Sequence, residues 1–162
     1  MRKIASLVFA LTFLITSCEG EQGPPGFDGQ DGVNFVGQSF ETLPLDFTAN
    51  NSFEQLVLFP ENIEIDDDDM VLVYLLWDEN PDTWRLLPQT IYTDSGEFQY
   101  NFQDNFTDVT IFLDAPSDFD FNTLLSGDTL NQVFRVVVLP IEYISNNNLD
   151  ITNYDDVMEY VQ

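Results

Sequence analysis

Two apolar runs constrain this chain most. Val71-Leu72-Val73-Tyr74-Leu75-Leu76-Trp77 shows no polar alternation, and Val133-Phe134-Arg135-Val136-Val137-Val138-Leu139 is broken only by Arg135. A strand with one wet face alternates apolar and polar side chains, whereas an unbroken run belongs to a central strand covered on both faces. Glu97 to Gln103 has the other pattern: Phe98, Tyr100 and Phe102 face one way and Glu97, Gln99, Asn101 and Gln103 the other, as in a half-buried strand. Asp94-Ser95-Gly96 supplies turn chemistry just before it, so Thr90 to Phe102 is expected to be a hairpin. Phe53 to Phe59 and Val109 to Leu113 read as further strands, and Arg85 falls in another. Pro60, Pro81, Pro88, Pro116 and Pro140 sit at or near the ends of runs, where proline punctuates strands. The pattern predicts an all-β fold, an antiparallel β-sandwich of about seven strands. At the end of the sequence, Thr152 is placed to cap a short C-terminal helix over Asn153 to Val161, with Asp155 and Asp156 in its first turn. Val157 and Val161 share a face near Tyr154, so this helix is expected to pack on the sandwich.

The first thirty-odd residues are of another kind. Arg2 and Lys3 precede an apolar run from Ile4 to Ile15, the layout of a secretory signal peptide. The run is about 12 residues, short of the roughly 20 that span a bilayer as a helix. It ends in Ile15-Thr16-Ser17-Cys18, and Cys18 is the sole cysteine. This junction resembles the bacterial lipobox, which implies cleavage before Cys18 and acylation of that residue. Several acyl chains on one residue hold a protein stably to a membrane where one would be marginal. A lipidated cysteine leaves no thiol for disulfides, metals or nucleophilic attack, so the core alone must hold the fold.

Glycine then falls at every third position: Gly20, Gly23, Gly26, Gly29 and Gly32, in GEQ GPP GFD GQD GVN. Strict G-x-y spacing with Pro24-Pro25 is the collagen signature, because only glycine fits the axis of the triple helix. Five triplets are too few to hold a triple helix alone. Either the segment is an extended or flexible spacer, about 45 Å long at roughly 3 Å per residue, or trimerisation of the domain or clustering of anchors lets it wind into a homotrimer. The organisation expected is 1–17 signal peptide, 18–34 lipidated cysteine and collagen-like stalk, and 35–162 a single acidic β-sandwich domain.

Charge narrows the partners. The chain carries 29 acidic residues against four basic ones, a net charge of −25, and no histidine. All the acids follow Cys18, so loss of the signal leaves Arg85 and Arg135 as the only cations. Such a surface excludes nucleic acid and anionic phospholipid as direct electrostatic partners. It suits divalent cations or basic proteins, or simply keeps an exported domain soluble.

A lipobox running into short collagen-like triplets, then a β domain with VLVYLLW…WRLLPQT and NQVFRVVVLP, resembles the short collagen-like lipoproteins of Bacteroidetes, flavobacteria in particular. The resemblance covers nearly the whole chain. It implies a cell-envelope location in the outer membrane, on the periplasmic or the cell-surface face, and a β-rich domain, and it implies no activity. Glu19 and Glu21 loosely resemble a surface-export signal of that phylum, and fit equally well as part of an acidic chain.

Candidate chemistry is sparse. Without histidine or a free thiol most acid–base and nucleophile arrangements are gone, and the chain is read as a non-enzyme. The carboxylate run Asp66, Asp67, Asp68 and Asp69 is a candidate calcium site, hard oxygen donors that repel one another unless a cation sits among them; otherwise it is a solvated guard on the strand that follows. Asp118-x-Asp120-x-Asn122 begins like an EF-hand loop but has Thr123 and Thr129 where glycine and glutamate are needed. Trp84, beside Pro81-Asp82 at an expected hairpin tip, is a candidate for stacking on a glycan. Arg85 and Arg135 are each expected to pair with a carboxylate, a buried pair being costly to break. Asp128-Thr129-Leu130 resembles an O-glycosylation triplet of Bacteroidetes. The expected role is structural or adhesive, a lipid-anchored protein presenting a β domain to an envelope protein or glycan. The alternative is a calcium-dependent or glycan-binding accessory module.

Overall fold

A computed structural model describes residues 36–162; the segment read as a signal peptide, Cys18 and the glycine triplets lie outside the described residues. The chain forms β1 (Gln38–Glu41), β2 (Glu54–Leu58), β3 (Asp69–Glu79), β4 (Asp82–Leu86), β5 (Gln89–Thr93), β6 (Gly96–Asp104), β7 (Asp108–Asp114), α1 (Ser126–Thr129), β8 (Phe134–Pro140), α2 (Ile141–Asn147) and α3 (Tyr154–Met158). Two four-stranded antiparallel sheets result, ordered β1-β8-β3-β4 and β2-β7-β6-β5. This is a β-sandwich with eight strands among the described residues, one more than the pattern led us to expect. The strand the pattern did not single out, β1, is four residues of mixed character (QSFE) held by its register against β8, Gln38 opposite Val138 and Glu41 opposite Arg135.

The two unbroken runs become β3 and β8, the inner strands of the first sheet, paired from Asp69↔Pro140 to Leu75↔Phe134. Alternate residues of each serve different cores. Val71, Val73, Leu75, Phe134, Val136 and Val138 face the second sheet and pack with Phe98, Tyr100, Val109, Ile111 and Leu113. Leu72, Tyr74, Val137 and Leu139 face outward and pack under Val157 and Val161, with Ile144, Ile151 and Tyr154 around them. Burial on both faces is why neither strand alternates. Each fully buried aliphatic side chain adds about 1.5–3 kcal/mol.

The C-terminal helix is shorter than expected, Tyr154–Met158, and has company. Asn153, not Thr152, occupies its N-cap position. Thr152 instead donates its hydroxyl to the Asp150 carboxylate at 2.6 Å. The helix α2, which starts directly after Pro140 and ends on Asn148 in the left-handed region (φ 51°), went unforeseen; proline at a helix start and asparagine just past its end were its signals. Beyond α3 the chain straightens against the first strand. The Gly37 and Val36 amides donate to the Tyr160 carbonyl at 3.0 Å, and the Gln162 amide donates to the Gly37 carbonyl at 3.1 Å. Gly37 has to be glycine there, since a Cβ would lie 2.5 Å from Leu139 Cδ2 and 3.0 Å from the Val138 carbonyl.

The second sheet holds the expected hairpin. Strands β5 and β6 meet at Thr93↔Gly96 across the two-residue loop Asp94-Ser95, with Gly96 at φ 129°, which a side chain would not tolerate. In β6, Phe98 and Tyr100 are buried in the core, as the alternation required.

Candidate functional site

The residues singled out from sequence are placed as follows. Asp66 to Asp69 turn into β3: the Asp69 carboxylate accepts the Asp66 amide at 2.9 Å, and the Asp68 carbonyl accepts the Ile141 amide at 2.8 Å. Successive residues of a turn point apart, so adjacency in sequence does not make a cage. Among the described residues no three Cys, Asp or Glu side chains come together in a way that could hold a metal ion. Asp120 instead caps the short helical turn Phe121–Thr123; hydrogen bonds from the Asn122 side chain and then its amide hold its carboxyl below the usual range. Asp104 closes β6 at an exposed position, where partial desolvation of its carboxyl raises its pKa.

Trp84 is half-buried. Its indole stacks on Tyr154, ring centres 5.6 Å apart and 19° from parallel, with the Arg135 guanidinium 4.4 Å from its centre. The face meant for a sugar is thus applied to α3. Arg135 forms the expected ion pair, with Glu41, but the pair is not buried: the two side chains are 20% and 49% exposed, so it contributes little beyond packing. Arg85 departs from expectation. It lies 3.6 Å over the ring of Trp77, and among the described residues it has no carboxylate partner. Thr129 is buried and its hydroxyl donates to the Leu125 carbonyl at 3.2 Å, a structural role.

What the sheets leave bare is more informative. The C-terminal chain covers the outer side of the first sheet, while the outer side of β2-β7-β6-β5 faces solvent. Register builds that face row by row: Leu56–Thr110–Gln103, Glu54–Phe112–Asn101, Asp114–Gln99–Thr90 and Glu97–Tyr92. Its middle is amide, hydroxyl and apolar. The carboxylates Glu54, Asp108, Asp114 and Glu97 stand at or next to strand ends. Leu56 and Leu58 on one edge strand and Tyr92 on the other are 62%, 67% and 80% exposed.

At one end the face deepens into a cleft of about 300 Å³ lined by Thr90, Glu97, Phe98, Gln99, Asp114, Ala115 and Pro116. The Gln99 side-chain amide donates to the Thr90 hydroxyl at 3.0 Å, which sets the orientation of both. Glu97 and Asp114 flank Gln99 from along its own strand and from the next. Both are exposed, and among the described residues neither carboxylate is engaged by a hydrogen-bond donor. The arrangement offers two carboxylate acceptors, an amide that can donate and accept, a hydroxyl, and a small apolar edge at Ala115 and Pro116.

We did not foresee this site. Its signal was present in β6, where three successive outward positions are amides (Gln99, Asn101 and Gln103) in a chain with 29 acids to place on its surface. Compared with known proteins, the chain matches no family model, no curated protein and no solved structure.

Proposed function

We propose that this chain is a lipid-anchored cell-envelope protein that holds an acidic β-sandwich off the outer membrane and uses its bare sheet face for adhesion. The observation that carries the reading is the unequal treatment of the two sheets. One outer face is sealed by α2, α3 and the segment that follows, and the other keeps a neutral centre with Leu56, Leu58 and Tyr92 exposed. Acylation of Cys18 would supply the anchor, and the triplets from Gly20 to Gly32 would supply a stand-off of about 45 Å. The acidic surface would repel anionic headgroups and keep the domain clear of the bilayer. No catalytic role is assigned.

Of the two accessory readings, the cleft beside Gln99 favours glycan binding. Calcium dependence has no comparable support, because among the described residues the acids do not converge.

The test has two parts. Cys18→Ser should abolish incorporation of radiolabelled palmitate and release the protein from the membrane fraction; retention in membranes without label refutes the anchor. Leu56→Asp with Tyr92→Ala should reduce attachment of cells carrying the chain to a coated surface, and unchanged attachment refutes the adhesive face. Light scattering of the chain, beside one beginning at Val33, separates a triple-helical stalk from a spacer: a trimer that falls to monomer without the triplets requires the former.

A further inference from the structure

We propose that the cleft between Thr90, Gln99 and Asp114 binds one sugar ring of a neutral glycan, whose chain then runs along the bare face past Asn101 and Phe112. The inference rests on the reading of that face as the adhesive surface and names its ligand class.

A pyranose presents a rim of hydroxyls, each both donor and acceptor, around a ring whose C–H bonds make an apolar face. The cleft answers each part. The Glu97 and Asp114 carboxylates are acceptors only, each with room for two hydroxyl donors; hydrogen bonds to a charged acceptor are about twice as strong as neutral ones. Gln99 uses one side-chain hydrogen on Thr90, which leaves its oxygen to accept, its second hydrogen to donate and the Thr90 hydroxyl free to donate. Ala115 and Pro116 supply a small apolar edge; Phe98 borders the cleft through its backbone, its ring being buried in the core. The volume, about 300 Å³, is at the small end for ligand sites, and suits a ring rather than a folded peptide element.

Preorganisation supports binding over mere solvation. Thr90, Gln99 and Asp114 lie in one row across three hydrogen-bonded strands, so their spacing is held by the sheet and little ordering is needed on binding. Net charge selects among glycans. Two carboxylates within a chain of net charge −25 repel uronates, sulfates and phosphates, which leaves neutral polysaccharides. A basic peptide would be held mainly by charge, and salt would release it.

The test is native electrophoresis of the full chain through gels containing β-1,3-glucan, mannan or amylopectin, with alginate as the anionic control and poly-lysine as the basic competitor. At least one neutral polysaccharide should retard the chain, alginate should not, and retardation should survive about 0.5 M NaCl, where exposed charge pairs are screened. Asp114→Asn and Gln99→Ala should each weaken retardation about tenfold or more, with an unchanged melting temperature showing that the fold is intact. Leu125→Ala, remote and exposed, should change nothing. Retardation by none of the neutral polymers overturns the proposal, and so does binding to poly-lysine alone that salt abolishes. If attachment of cells depends on Leu56 and Tyr92 while no neutral polysaccharide retards the chain, the glycan inference fails and the adhesive reading stands. If attachment ignores those residues, the adhesive reading fails first.

Discussion

Val161 lies beyond the last helix, yet its side chain completes the outer core of the first sheet, and this makes Val161→Ala a sharp test of the architecture. The side chain is 5% exposed and sits among Leu72, Tyr74, Val137, Leu139 and Val157, while its backbone bridges to Gly37 in parallel. Alanine keeps the bridge and removes two methyl groups. At about 0.8 kcal/mol per buried carbon the transfer loss is about 1.6 kcal/mol, and the cavity left behind brings the total to about 2–3 kcal/mol. A stable domain has only about 5–15 kcal/mol in all. With a urea dependence of about 2 kcal/mol/M, the unfolding midpoint should fall by about 1 M with its slope unchanged. Trp84 fluorescence reports the transition, since its ring stacks on Tyr154 of the same outer core. Leu125→Ala, at a residue 73% exposed, is the comparison and should move the midpoint by less than about 0.3 M. If the two variants behave alike, the C-terminal segment does not seal the sheet and the account of β3 and β8 as doubly covered strands is wrong.

Four further outcomes follow from buried hydroxyls and from the acids. Tyr74 and Tyr100 have phenols pushed well above the ordinary value of about 10, by burial first and then by Asp150 and Asp128 respectively. The folded state therefore holds protons that the unfolded state gives up. Stability from this source is complete below about pH 10 and is lost as pH rises toward the folded values; urea midpoints from pH 7 to 11 should stay level and then drop, and Tyr74→Phe should lessen the drop. Tyr74→Phe should also cost about 1–2 kcal/mol at pH 7 by orphaning the Ile151 carbonyl, which its hydroxyl reaches at 2.8 Å. Tyr154→Phe should cost nothing or stabilise by up to about 1 kcal/mol, because the Tyr154 hydroxyl is buried with no hydrogen-bond partner; a loss comparable to that of Tyr74→Phe in thermal unfolding would contradict this. Millimolar calcium should raise the melting temperature no more than sodium chloride of equal ionic strength, given that the acids of the described residues do not converge; a larger calcium-specific rise restores the Asp66–Asp69 reading.

Local pattern was enough for much of this protein. Side-chain period separates β3 and β8, apolar at nearly every position, from β6, apolar at every second, because burial on two faces or on one leaves that imprint. Turn chemistry at Asp94-Ser95-Gly96 located the hairpin, and Tyr154, Val157 and Val161 marked a face that packs where expected. The proposed anchor and stalk rest on Cys18 and on the glycine spacing alone. What depends on neighbours distant in the chain could not be read this way. Strand β1 exists because β8 offers an edge, Trp84 stacks on a residue 70 positions later, and Arg85 finds an indole where a carboxylate was expected. The four aspartates of Asp66–Asp69 are adjacent in sequence, yet among the described residues no three acids come together around one point. The cleft is the clearest case. Thr90, Gln99 and Asp114 are unremarkable in sequence and become neighbours only through the registers β5–β6 and β6–β7. Pairing across strands is chosen by the packing of the whole sandwich, and that choice, not any segment, puts an amide, a hydroxyl and two carboxylates around one space.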